Sequence, residues 1–152
     1  MLVYRVANLK YRDETLSGIG AEKVGGRWNK IGVKAVYCSE NISLALLEYY
    51  VHSVNLAFLP ESILLAKIHI PDAFEIVELA DLPEGWNRYP YSSKTTELFS
   101  SLAKDRDFFA LKVPSALVGL EYNFILNPLY TDFGKVEILE YIALPLDARL
   151  KG

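Results

Sequence analysis

A helix that is apolar nearly all round constrains this chain more than any other local feature, because most of its circumference must be covered. Residues 42–52 read ISLALLEYYVH. Ser39 or Asn41 supplies a cap, and Leu44, Ala45, Leu46, Leu47, Tyr49, Tyr50 and Val51 follow with little polar relief. The spacing predicts a largely buried helix with one carboxylate, Glu48, in its middle. Burying an unpaired carboxylate costs several kcal/mol, so Glu48 either has a partner or faces a cleft.

The residues before this helix are as unusual. Gly25-Gly26-Arg27-Trp28-Asn29 closes a polar, glycine-bearing stretch from Lys10 to Gly26, read as a long loop with little regular structure. Loops of about 15 residues are uncommon inside a domain and are often functional. The glycine pair allows a close backbone approach or positive φ. The pattern is neither GxGxxG nor a P-loop, because the spacing and the Lys-Ser/Thr ending are missing. Val33–Cys38 (VKAVYC) is expected to be a strand that brings Tyr37 to its end.

Further strands are expected at 2–6, 63–70, 74–79, 108–113 and 136–144, with a second helix over Ser92–Lys104, and 121–126 reads as an apolar-aromatic run before Asn127-Pro128. Trp86 sits in a turn-rich loop, 81–90, as an aromatic that could cover something. Mixed strands and helices without repeat or linker make a single α+β unit, and 152 residues fit one domain spanning 1–152.

Composition excludes several function classes. A formal charge of −3 and the absence of a dense Lys/Arg run give no pull towards nucleic acid. No uncharged apolar run approaches the roughly 18 residues that cross a bilayer, and Arg5 and Lys10 interrupt the N-terminus too early for a signal peptide. A single cysteine, Cys38, makes no internal disulfide and favours a reducing, cytoplasmic location. With only His52 and His69 beside it, no zinc cluster is expected. Cys38 itself reads as a small buried hydrophobe.

Six elements in order resemble the RES domain family. These are GGRWN (Arg27), VYCSE (Tyr37), the ALLE helix (Glu48), VPSALV (Ser115), the Asn123-to-Pro128 element and the closing Asp147-Ala148-Arg149. Two departures stand out. Leu129-Tyr130-Thr131 follows Asn-Pro where the family commonly has His-Pro, and no Gly-x-x-Trp precedes the VPS strand.

The resemblance implies a fold similar to the ADP-ribosyltransferases and a toxin acting on NAD⁺, restrained by an Xre-type DNA-binding antitoxin. It implies degradation by hydrolysis or phosphorolysis, or ADP-ribosylation of a protein, with no cofactor beyond NAD⁺ as substrate. It allows a homodimer within a larger toxin–antitoxin complex.

Under that resemblance Arg27 offers planar donors to a pyrophosphate. Tyr37 is placed to stack on nicotinamide or anchor ribose, and Glu48 to stabilise an oxocarbenium-like charge. Ser115 is placed to hold the carboxamide, water or phosphate, and Asn123 to contact the ligand or its supports. Four of them also have an ordinary structural reading: Glu48 paired with Arg27 or another arginine, Arg27 as a loop anchor, Tyr37 in the core, and Ser115 as a turn or helix-cap residue. Under that reading the chain is a non-catalytic module that only binds a partner.

Overall fold

Seven strands build one sheet, whose alternating side chains feed two separate cores. The computed structural model describes residues 1–53 and 55–151. The strands are β1 (Leu2–Ala7), β2 (Val36–Ser39), β3 (Ser62–His69), β4 (Phe74–Ile76), β5 (Ala110–Pro114), β6 (Tyr122–Leu126) and β7 (Glu137–Pro145). Their spatial order is β4-β5-β6-β2-β1-β3-β7. The β4–β5 pair is parallel and the other pairs are antiparallel, so the sheet is mixed.

Strand period two sorts the residues between faces. Val36, Cys38, Phe124, Leu126 and Ala110 join one core with Val3, Ala66 and Ile68, and Tyr130 and Phe133 pack against it. Leu111, Val113 and Ile125 join the other, which also takes Trp28, Trp86, Phe99 and Phe108. Burial of this second set holds α3 (Ser93–Asp105) and two loops onto the sheet. Ser92 begins α3 by accepting from the Lys94 N–H, as an N-cap serine does.

The helix α2 (Ile42–His52) forms where its sequence pattern places it, and Asn41 rather than Ser39 is the cap: its Oδ1 accepts from the Leu44 N–H at 2.8 Å. Substituting Asn41 by alanine is expected to cost about 1 kcal/mol, read as a lower midpoint of urea unfolding at unchanged slope. The expectation of a largely buried helix is corrected. Only Leu44 and Ala45 are buried, while Leu47 and Val51 are exposed. α2 packs on β1 and β2, and the Tyr50 hydroxyl donates to the Leu150 carbonyl at 2.7 Å.

The stretch 10–26 is also more regular than its composition suggests. It contains a 3-10 turn (Leu9–Glu14) and the short helix α1 (Ile19–Val24). Six residues, IGAEKV, are too few to show a readable period; Gly25, at φ +69°, ends α1 in a conformation that favours glycine. No helix among the described residues is long and apolar enough to cross a membrane.

Candidate active site

The pleat brings Tyr37 and Ser39 of β2 to the same face as Asn123 and Ile125 of β6, because Tyr37 pairs with Ile125 and Ser39 with Asn123. That face meets α2, and there Glu48 is partly exposed (24%), so its carboxylate is open to solvent rather than sealed in the core. Asn123 Nδ2 donates to Glu48 Oε1 at 2.6 Å, and the Ser115 hydroxyl donates to the same oxygen at 3.2 Å.

Both donors are themselves held. Asn123 Oδ1 accepts from the buried Ser39 hydroxyl at 2.7 Å. Ser115 Oγ accepts from the Leu117 and Val118 N–H groups, each at 3.1 Å, just beyond the last residue of β5. An ionised carboxylate only accepts hydrogen bonds, so two fixed donors on Oε1 set its direction. Glu48 Oε2 takes no hydrogen bond from the described residues; its neighbour is His52 Nδ1 at 3.9 Å.

Arg27 joins the cluster through Tyr91. Its Nη1 donates to the carbonyls of Trp86 (2.6 Å) and Arg88 (3.0 Å), and its guanidinium lies over the Tyr91 ring, 4.9 Å from the centroid. Neither Nε nor Nη2 is hydrogen-bonded among the described residues. Burial lowers the Arg27 pKa below its ordinary value, and the nearby Tyr91, Glu48 and Tyr37 act against that loss. No salt bridge joins Arg27 to Glu48 among the described residues, so the reading of the two as an ion pair is set aside.

Tyr37 links the halves. Its hydroxyl donates to Asn29 Oδ1 at 2.7 Å and accepts from the Trp28 N–H at 3.2 Å. Burial raises its pKa well above the usual tyrosine range, so it stays protonated. Burial likewise pushes the Cys38 thiol up to about 12, and Cys38 lies in the other core, away from this chemistry.

Four residues with no assigned role in the sequence motifs complete the cluster: Asn29, Ser39, His52 and Tyr91. His52 Nδ1 lies 2.7 Å from the Glu48 carbonyl, so it carries the proton and donates; Nε2 is 3.3 Å from the Tyr91 hydroxyl. His52 follows Glu48 by four residues on a helix, a spacing that marks a shared face. Tyr91 leaves no such trace, because only the fold lays residue 91 against residue 27. The Trp86 ring packs in the second core against Trp28, with centroids 6.1 Å apart, and only its backbone carbonyl reaches Arg27.

The sequence matches the RES domain family across residues 2–147. The chain belongs to the RES domain family. It is 38% identical to Toxin Res of Photorhabdus laumondii over 152 residues, which covers 99% of this chain and 97% of that protein. Toxin Res of Yersinia enterocolitica is 33% identical over 153 residues. The Prs ADP-ribosylating toxin of a Sphingobium strain is 36% identical over 126 residues, or 80% of this chain and 78% of that one. A chain from the crystal structure of the M. tuberculosis MbcT–MbcA toxin–antitoxin complex shares the fold, with a TM-score of 0.73 over 95% of this chain and 84% of that one at 18% identity.

All five motif residues of the RES resemblance, Arg27, Tyr37, Glu48, Ser115 and Asn123, fall within this one network. Two adjoining concavities, of about 370 and 220 Å³, lie beside the C-terminal end of α3 and share no lining residue with it. Their lining mixes Lys104 and Arg106 with Asp105 and Asp107, which gives no preference for one charge. No group of three His, Cys, Asp or Glu side chains among the described residues is arranged to hold a metal ion.

Proposed function

We propose that this RES protein is a toxin that consumes NAD⁺ by breaking the bond between nicotinamide and ribose. The observation that carries this reading is the carboxylate of Glu48, oriented on one oxygen by Asn123 and Ser115 while its other oxygen takes no hydrogen bond from the described residues. Departure of nicotinamide builds positive charge on the ribose ring, as in an oxocarbenium ion. A fixed carboxylate stabilises that charge as it grows, without the reorganisation that water would need. The open Oε2 can also accept from ribose hydroxyls.

Arg27 supports the other end of the substrate. Its Nε and Nη2 present two donors in one plane, a geometry matched to a diphosphate. The Tyr91 face beneath the guanidinium fixes its plane, and the Tyr37 ring adds an apolar wall. NAD⁺ is substrate in this scheme, and the residues supply charge and orientation only.

The test is NAD⁺ consumption by purified protein, with and without inorganic phosphate, products read by mass. Nicotinamide with a phosphorylated ADP-ribose marks phosphorolysis, and free ADP-ribose marks hydrolysis. Intact NAD⁺ with folded protein overturns the reading. Transfer of ADP-ribose to a protein is a second reading, favoured by the name of the Sphingobium relative. Label from [adenylate-³²P]NAD⁺ that stays with macromolecules after denaturation distinguishes it.

An activity that drains NAD⁺ needs restraint, and an Xre-type antitoxin protein covering the cleft is the partner we propose. The MbcT–MbcA complex, a toxin–antitoxin pair with this fold, supports such an assembly.

The donors on Glu48 can be tested directly. Asn123→Asp replaces one of the two donors on Oε1 with a second carboxylate at hydrogen-bond distance. The rate of NAD⁺ loss is expected to fall by about tenfold or more in a folded variant, read as initial rates beside a thermal melt. Undiminished turnover would show that Asn123 does not orient Glu48.

A further inference from the structure

The backbone that carries Arg27 is tied down by one buried amide. Asn29 is 1% exposed, and both ends of its side chain are engaged. Nδ2 donates to the carbonyls of Ala21 (2.9 Å), Lys30 (3.1 Å) and Val33 (2.9 Å), so two hydrogens serve three acceptors. Oδ1 accepts the Tyr37 hydroxyl proton, and that hydroxyl in turn accepts from the Trp28 N–H. The Asn29 carbonyl accepts from the Gly26 N–H at 3.0 Å, which closes the turn around Arg27. Aspartate would keep the acceptor and lose the donors, leucine would lose both, and glutamine is one methylene too long for a site without spare volume.

Gly26 belongs to the same device. A Cβ there would stand 2.6 Å from the Tyr37 hydroxyl oxygen and 3.1 Å from Asn29 Oδ1, closer than packed atoms tolerate. The Tyr37 hydroxyl therefore has its proton and one lone pair committed to the Gly26–Asn29 turn.

We propose that Asn29 is a positioning residue, setting the Arg27 guanidinium for a diphosphate-bearing substrate through the Tyr37 hydroxyl and the Gly26–Trp28 backbone. This rests on the NAD⁺ reading above. It makes Tyr37 a strut that meets the ligand through its ring, with the hydroxyl facing the protein.

Steady-state NAD⁺ consumption by the full chain tests it, using Asn29→Ala, Tyr37→Phe, Gly26→Ala and the Gly26→Ala/Tyr37→Phe double variant. Arg27 grips a part of the substrate that does not change during reaction, so its misplacement weakens binding of ground and transition states alike. The KM for NAD⁺ is expected to rise about tenfold in Asn29→Ala and several-fold in Tyr37→Phe, with kcat within about threefold. Gly26→Ala is expected to raise KM in the parent and to raise it less once the Tyr37 hydroxyl is gone, because the 2.6 Å contact is relieved while those with Asn29 Oδ1 and Tyr37 Cζ, both 3.1 Å, remain.

A merely structural role lowers the folded fraction, which reduces kcat and leaves KM alone; that pattern overturns the proposal. So does additivity of Gly26→Ala and Tyr37→Phe. If Asn29→Ala does not fold, the Gly26–Tyr37 cycle decides by the same criteria. A parent protein that neither binds nor consumes NAD⁺ removes both readings together. A parent that turns over while the variants keep its KM removes this one alone.

Discussion

Replacing Glu48 by glutamine is expected to lower the rate of NAD⁺ loss by about 10²–10³-fold while the protein stays folded. Glutamine keeps the shape, and its carbonyl oxygen can still accept from Asn123 and Ser115 where Oε1 now does. The other terminal atom becomes an NH₂ that donates and cannot accept from ribose hydroxyls. The charge that faces the developing oxocarbenium is lost with it. The interaction is stronger in the transition state than in the ground state, so kcat is expected to fall and KM to change little. Glu48 is partly exposed and, among the described residues, has no ion-pair partner closer than His52 at 3.9 Å, so neutralising it breaks no close ion pair and removes only part of the field that offsets the desolvation of Arg27. Initial rates beside a thermal melt check this. A folded variant with undiminished turnover would remove Glu48 from the chemistry.

Phe99→Ala is expected to destabilise the protein by about 3–5 kcal/mol, which for a chain of this size lowers the melting midpoint by roughly 6–20 °C. Phe99 is fully buried on α3, and its ring meets Phe108 edge-on with centroids 5.3 Å apart. The cavity left by the ring would lie among Trp28, Trp86 and Leu111, where the large neighbours cannot close it without moving. The next residue of α3, Ser100, accepts from the Lys30 N–H at 2.9 Å and so ties the helix to the Arg27 turn. Loosening α3 is therefore expected to weaken NAD⁺ binding below the new midpoint as well as to lower it. Calorimetry with and without NAD⁺ measures both. An unchanged midpoint would mean that this core does not hold the site.

Much of the candidate site was legible one residue at a time. Arg27, Tyr37, Glu48, Ser115 and Asn123 each interrupt an apolar or glycine context, and the order of their motifs carried the RES resemblance. Their arrangement was not legible. The pairing of Glu48 with Arg27 is a natural guess for two opposite charges in apolar surroundings, yet Glu48 is held by neutral donors and Arg27 by backbone carbonyls. Ser39 could be read as a helix cap, and it orients Asn123 instead, because β2 pairs with β6 at that register.

Local physics is what the chain determined by itself. Strand alternation, the Asn41 cap, the glycine turn and the predominantly apolar helix follow from neighbours in sequence, where side-chain period and backbone sterics act. Whether the helix would be buried was not among them, since hydrophobicity measures a preference for cover and α2 leaves Leu47 and Val51 exposed. Tertiary structure decided which polar atoms meet. Ser115 is 67 residues from Glu48 and Asn123 is 75, and hydrogen bonds act over only about 3 Å, so contacts between such distant residues exist only after the sheet has fixed its register.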